Sequence, residues 1–328
     1  MIVTRTPFRI PLGGGGTDLP SYYSRHGGFI VSAAINRYVN IMVNRRFENS
    51  VRLSYSQTEI VDNVDQIEHS IVREALRFTG LERNLEIVSI ADLPAKAGLG
   101  SSCAFTVGLL HALHTLKREQ RSLEELAEEA CHIEIEQLGE PIGKQDQYAT
   151  AFGGIVCLEI DREGGVRVSP IQVPEDALQE MESNVALFYT GIQRSASDIL
   201  GPQSQATSND DPRVVEALHV IKDIGAEIKI ALERGDLVRF GWLLDEHWRI
   251  KKSLSNGVSS SQIDRWYAVG KANGAIGGKV MGAGGGGFLM FYCQNGCKAR
   301  LREALAAEGL KELRFAVDFE GSKVLVNF

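Results

Sequence analysis

The sequence lacks any uninterrupted apolar run of about 18 residues, the length a membrane-spanning helix needs. Its longest near-run, residues 98–116, is broken by Ser101, Ser102, His111 and His114. The opening MIVTRTPFRIPLGGGG offers neither an apolar stretch of signal-peptide length nor a small-residue cleavage site, so the expectation is a cytoplasmic protein. An excess of positive charge is also missing. The chain has 35 Lys and Arg against 42 Asp and Glu, a net charge of −7. Nothing in that balance attracts nucleic acid or an anionic membrane in general, so neither is expected as a partner and any phosphate must be bound locally. Cysteine is sparse: Cys103, Cys131, Cys157, Cys293 and Cys297 form no CxxC pair and are read as reduced thiols. His111 and His114 share a helix face without a third ligand at metal spacing. A Walker A loop is absent, because Gly143-Lys144 and Gly278-Lys279 are followed by Gln145 and Val280. Gly282, Gly284 and Gly287 mimic a dinucleotide-binding fingerprint, but a strand follows them where that fold requires a helix. No internal repeat or low-complexity segment is visible.

What the sequence has in quantity is clustered glycine. Of 34 glycines, groups stand at Gly13–Gly16, at Gly98 with Gly100, and at Gly282 with Gly284–Gly287. Glycine gathered beside strands and helices marks backbone that another group must approach closely. With 328 residues and 44 % hydrophobic content, the chain can bury a core without disulfides or a structural metal.

Patterning predicts strands at residues 3–9, 28–34, 38–46, 51–56 and 85–90, and a helix over 64–78 ended by Gly80. The segment PAKAGLGSSCAFTVGLLHALHTLKRE reads as a glycine turn feeding a long apolar-faced helix. Ser122 and Glu125 form a capping box for a helix reaching about Leu138, and GEPIGKQDQY is read as the loop that follows. Strands are expected at 152–161 and 166–173. Composition turns polar at 174–183, which sets expected domains at 1–183 and 184–328. The second unit is expected to start with a polar loop over 193–211. Helices at 212–234, 236–254, 261–272 and 298–308 and strands at 313–317 and 323–326 follow, with FLMFYC as a buried strand and a βαβ-like tail.

A G-L-G-S-S turn opening a long helix suits phosphate, since the first N–H groups of a helix lack internal partners and the macrodipole is positive there. Ser101 and Ser102 add hydroxyls able to reach phosphate or hydrated Mg²⁺. The plainer reading is a glycine turn with Ser102 as helix cap. Taken singly, Asp146 reads as a loop aspartate, Glu134 as a solvated helix residue and Arg9 as a surface strand arginine.

Three elements in order, PFRIPLGGGGTD (residues 7–18), PAKAGLGSSCA (94–104) and KVMGAGGGGF (279–288), resemble the motifs of the GHMP kinases, the group that includes galactokinase and mevalonate kinase. The resemblance spans nearly the whole chain. Within the group, GGGGTDLPSYY and PIGKQDQYATAFGG most resemble the sugar-1-kinase branch acting on D-glycero-D-manno-heptose 7-phosphate, with the fucokinase domain as the nearest relative. The resemblance implies an α+β, two-domain fold: a ribosomal protein S5 domain 2-like N-terminal domain and a ferredoxin-like C-terminal domain. It implies ATP as phosphoryl donor on Ala97, Gly98, Leu99, Gly100, Ser101, Ser102 and Cys103. It implies Mg²⁺ on Ser102 and Glu134, with Glu136 as a rival because the following loop carries one inserted residue. Asp146 and Arg9 take the catalytic positions. Gly15, Gly16, Thr17 and Asp18 take the sugar positions. Gly282, Ala283, Gly284, Gly285 and Gly286 form a third loop, ending near Gly287, that packs beside the second.

These residue types suit phosphoryl transfer, which needs positioning and charge neutralisation more than covalent chemistry. One departure stands out: galactokinases carry Glu-His where this chain has Gly15-Gly16. That loss removes polar contacts and opens volume for a bulkier acceptor. A sugar phosphate as partner also needs cations, for which Arg25, Lys144, Arg194, Arg249 and Lys251 are candidates. A fucokinase-like free-sugar 1-kinase and a non-catalytic sugar and ATP sensor are the alternatives. A basic pocket opposite the ATP loops would count against the first, and the Asp146–Arg9 pair against the second.

Overall fold

The computed structural model describes residues 1–293 and 296–328. The first half runs β1 (Ile2–Gly13), α1 (Pro20–His26), β2 (Gly28–Arg45), β3 (Val51–Ser54), β4 (Thr58–Val61), α2 (Ser70–Thr79), β5 (Leu85–Ala91), α3 (Ser101–Lys117), α4 (Leu123–Cys131), a π-helical turn (His132–Gln137), α5 (Gln145–Phe152), β6 (Ile155–Ile160) and β7 (Val166–Pro170). The second runs α6 (Glu175–Asn184), β8 (Val185–Tyr189), α7 (Ser197–Ser208), α8 (Pro212–Glu233), α9 (Leu237–Lys251), α10 (Ser261–Ala272), β9 (Ala275–Val280), β10 (Phe288–Cys293), α11 (Lys298–Ala307), β11 (Lys311–Leu313) and β12 (Lys323–Asn327).

The larger sheet has eight strands, with β12-β1-β2-β5-β3-β4 as its main path and β6 and β7 branching from β2. Its pairings are antiparallel except β3 with β5. The strands expected at 28–34 and 38–46 are one 18-residue strand, β2, because β1 pairs with both halves and shifts register twice, between Pro7 and Phe8 and between Pro11 and Gly13. Helix α3 lies against β1 and β2 and is buried on most of its surface. That explains why its apolar residues are not confined to one stripe. Helix α8 packs on the same two strands, and α9 packs on β9 of the second sheet.

The second sheet, β11-β8-β10-β9, is antiparallel. Strands β10 and β11 both run against β8, so they are parallel to each other, and α11 makes the crossover between them. The βαβ-like tail is thus a split unit with β8 between its strands. The second half is not confined to one sheet: β12 returns to pair with β1, so the larger sheet extends past residues 1–183.

Several local expectations change. The helix over 64–78 starts at Ser70, preceded by a 3₁₀ turn at Val64–Gln66. The segment 174–183, read as a polar boundary, lies almost wholly in α6. The loop expected at 193–211 contains α7, whose Ser, Gln and Asn content and internal Pro202 hide its buried face of Ile199, Gln203 and Thr207. GEPIGKQDQY is only partly loop, since α5 begins at Gln145. The strand expected at 313–317 reduces to β11 and an isolated bridge between Ile35 and Val317. The capping box of Ser122 with Glu125 and the Asp211 cap of α8 are present as expected. Among the described residues no helix is long and apolar enough to cross a membrane.

Candidate active site

One cleft collects residues from the three glycine loops, α5, α7, α9 and β9. Its cavity holds about 280 Å³. Arg9 leaves β1 toward the cleft and is only 3 % exposed. Its guanidinium makes a forked contact with Asp146 in the first turn of α5: Nε donates to Oδ1 at 2.6 Å and Nη2 to Oδ2. Arg9 Nη1 also donates to Gly98 O at 2.8 Å, and its backbone N–H to Leu99 O at 3.1 Å. One arginine therefore fixes the aspartate and the glycine turn to each other. The planar fork matches a carboxylate in a way an ammonium cannot.

Gly100 caps α3 in the left-handed conformation, and no side chain caps the helix. Ser102 lies two positions inside, so it is not the cap. The first intrahelical bond runs from Ala104 N–H to Gly100 O, which leaves the N–H groups of Ser101, Ser102 and Cys103 at the positive end of a 17-residue helix. Gly98 is needed because the third loop lies against it: a Cβ there would meet Met281 O at 2.9 Å, at φ +79°. Ala97 and Leu99 are buried in the core and offer backbone rather than side chains.

Glu134 sits on the π-helical turn, where Leu138 N–H reaches back five residues to Ile133 O. Its carboxylate is 1 % exposed and accepts from Ser102 Oγ at 2.5 Å and Gln147 Nε2 at 2.9 Å. Burial pushes its pKa up, and those hydrogen bonds oppose the rise. Glu136 points to the surface with His132, at 2.7 Å. Among the described residues Glu134 has no cationic partner and no cluster of three His, Cys, Asp or Glu forms a metal cage. Two oxygen ligands at the edge of an open cleft still fit Mg²⁺, which keeps several waters and few protein ligands.

Asp18 is buried. Its Oδ1 accepts from Gly16 N–H at 3.0 Å and its Oδ2 from Gln145 N–H at 3.2 Å. Burial, aided by the charge of Asp146, pushes its pKa up to about 6. Gly15 borders the cleft with open space where a Cβ would stand. At Gly16 the expected extra volume is not free: a Cβ would lie 2.7 Å from Gln203 Nε2, at φ +97°. Thr17 faces away, its hydroxyl donating to Gly14 O at 2.8 Å and accepting from Phe29 N–H at 3.1 Å. In the third loop Gly282, Ala283, Gly284 and Gly286 line the cleft, while Gly285 packs on Gly257 and Ile199.

Of the five candidate cations, Arg194 and Lys251 line the cleft. Arg25 pairs with Asp210, Lys144 with Glu128, and Arg249 with Glu246 at the surface. Two residues escaped the sequence reading. Lys279 opens the third motif yet is not among the candidate cations. Gln203 lies in the unforeseen α7, is 3 % exposed, and its Nε2 has no partner among the described residues.

The GHMP kinases N terminal domain matches residues 64–154, and the GHMP kinases C terminal domain matches residues 228–311. D-glycero-alpha-D-manno-heptose 7-phosphate kinase of Campylobacter jejuni is 31 % identical, over 98 % of this chain and 97 % of that one. The chain belongs to the GHMP kinases. As a GHMP kinase it has the two-domain fold of mixed helix and sheet, and the family uses ATP as substrate. Among solved structures, a D-glycero-D-manno-heptose 1-phosphate kinase from Bacteroides thetaiotaomicron superposes with a TM-score of 0.82 at 26 % identity, covering 100 % of both chains. The L-fucokinase/L-fucose-1-P guanylyltransferase of Bacteroides fragilis is 27 % identical over 92 % of this GHMP kinase but only 35 % of its own length.

Proposed function

We propose that this kinase transfers the γ-phosphoryl group of ATP to the anomeric hydroxyl of D-glycero-D-manno-heptose 7-phosphate, giving the 1,7-bisphosphate. The likeness to the Campylobacter jejuni enzyme along the full chain supports the acceptor class. The observation that carries the chemistry is the Arg9–Asp146 fork beside the open N-terminus of α3. In this reading the α3 N–H groups bind the nucleotide phosphates, with Ser101, Ser102 and the Gly98 turn around them. Asp146 orients the acceptor hydroxyl and takes its proton as the new P–O bond forms and the bond to the ADP oxygen breaks. Arg9 fixes the aspartate and places positive charge near the transferred group. Asp18 and Gly15 border the sugar. Ser102 and Glu134 would hold Mg²⁺, which would supply positive charge against the phosphate oxygens when bound.

The forked pair disfavours a non-catalytic sensor, which needs no proton acceptor. The name of the Bacteroides thetaiotaomicron relative puts the existing phosphate at carbon 1, so the regiochemistry must be tested directly. ADP release should be measured with heptose 7-phosphate, heptose 1-phosphate, unphosphorylated heptose, fucose and galactose, and the product assigned by ³¹P NMR. The expected result is turnover of the 7-phosphate with a new anomeric phosphate. Preferred turnover of the 1-phosphate or of a free sugar overturns the assignment.

A further inference from the structure

Lys251, on the last turn of α9, and Lys279, on β9, are 6 % and 1 % exposed, and both border the cleft. Among the described residues neither forms an ion pair with a carboxylate. Lys279 Nζ donates to Leu12 O at 3.3 Å, and Lys251 Nζ to Gly282 O and, at 3.5 Å, to Val280 O. One turn before Lys251 on α9, His247 is fully buried, and neither ring nitrogen has a partner among the described residues. A buried cation without a counter-ion is costly, and two side by side more so. Burial and the charge of Arg9 draw the Lys251 pKa down to about 7, with Asp18 opposing. Burial, Lys251 and Arg9 hold Lys279 well below its ordinary value.

We propose that Lys251 and Lys279 form a second anion subsite, which takes the phosphate already present on the acceptor, separate from the nucleotide turn at Gly98–Ser102. The inference rests on the sugar-phosphate reading of the acceptor. Three observations place the subsite at the acceptor end. Lys279 holds the carbonyl of Leu12, where β1 leads into the Gly13–Asp18 loop. Lys251 feels the field of Asp18, the buried carboxylate of that loop. Gln203, whose Nε2 packs on Gly16 without a partner, supplies an amide donor to the same cleft. A phosphate arriving there exchanges these carbonyl contacts for charge-assisted ones and supplies the missing counter-charge.

The test uses the full chain with Lys251→Met and Lys279→Met, which remove charge but keep length. Calorimetry should show heptose 7-phosphate binding about 10- to 100-fold weaker in each variant, in the presence of a saturating non-hydrolysable ATP analogue, while the analogue itself binds within about twofold of wild type. The kcat/KM preference for heptose 7-phosphate over the unphosphorylated heptose should fall by the same factor. Equal loss of nucleotide affinity, or an unchanged preference, overturns the subsite. Should the variants not fold, the wild type decides: with the nucleotide site saturated, inorganic phosphate must still raise Tm, and no shift overturns the proposal. If wild type ignores heptose 7-phosphate but Lys251 and Lys279 still govern phosphate binding, the acceptor assignment falls and the subsite stands. If wild type phosphorylates it and the variants keep the preference, the reverse holds.

Discussion

Two buried basic regions meet in this cleft, and they are built differently. Arg9 is matched, its fork closed on Asp146 and its third donor on Gly98 O. Among the described residues Lys251 and Lys279 are unmatched, held by backbone carbonyls alone. A matched cation fixes geometry before any ligand arrives, which suits a group that must aim a proton acceptor. An unmatched cation stores unfavourable solvation that an incoming anion relieves, which suits recognition. In the proposed reading the same residue class serves positioning in one place and binding in the other, and a carboxylate partner distinguishes them.

The contrast can be broken first at Asp146. Asp146→Asn should lower kcat by about 10²- to 10⁴-fold with nucleotide affinity retained. Unchanged kcat removes the aspartate from its role. Arg9→Lys should cost about 10- to 100-fold in kcat despite conserved charge, because an ammonium cannot hold both carboxylate oxygens and Gly98 O. Full rescue by lysine would show that charge alone matters there.

The unmatched pair gives a pH signature. Lys251 has a folded-state pKa of about 7 against an ordinary 10.5, so its contribution to stability is complete above 10.5 and is lost as pH falls through 7. Lys251→Met should flatten the stability profile between these limits by on the order of 1 kcal/mol per pH unit, read by urea unfolding at fixed pH steps. Asp18 has the opposite sign: its pKa is raised from 3.8 to about 6, so stability is lost as pH rises through that window. Asp18→Asn should remove that decline, and a decline that persists would assign it to another group. The smallest effect is expected at Gly15→Ala. Its Cβ would enter open space, so stability should change by less than about 1 kcal/mol while the sugar KM rises a few-fold. A larger loss of stability would show that the residue shapes the loop rather than borders the sugar.

Much of the site was legible because its members are anchored in local patterns. The GLGSS turn, the Ser122 capping box and the buried run FLMFYC each specify their own backbone. Glu134 against Glu136 was not decidable locally. A π turn widens the helix by one residue and swings the first into the cleft and the second to solvent. Helix α7 was hidden because polar residues and Pro202 disguise a short buried face, and with it went Gln203. The volume expected at Gly16 failed for the same reason, since a side chain from that helix fills it.

By itself the sequence determined the glycine turns and the elements that follow the second and third of them, helix α3 and strand β10, set by backbone freedom and side-chain chemistry within a few residues. That Arg9 meets a carboxylate while Lys279 meets a backbone carbonyl was decided only when β1, α5 and β9 came together, because Arg9 and Asp146 lie 137 positions apart and Lys279 and Leu12 267 apart. Charge balance in a low-dielectric cleft depends on distances between side chains, and those distances exist only in the packed fold.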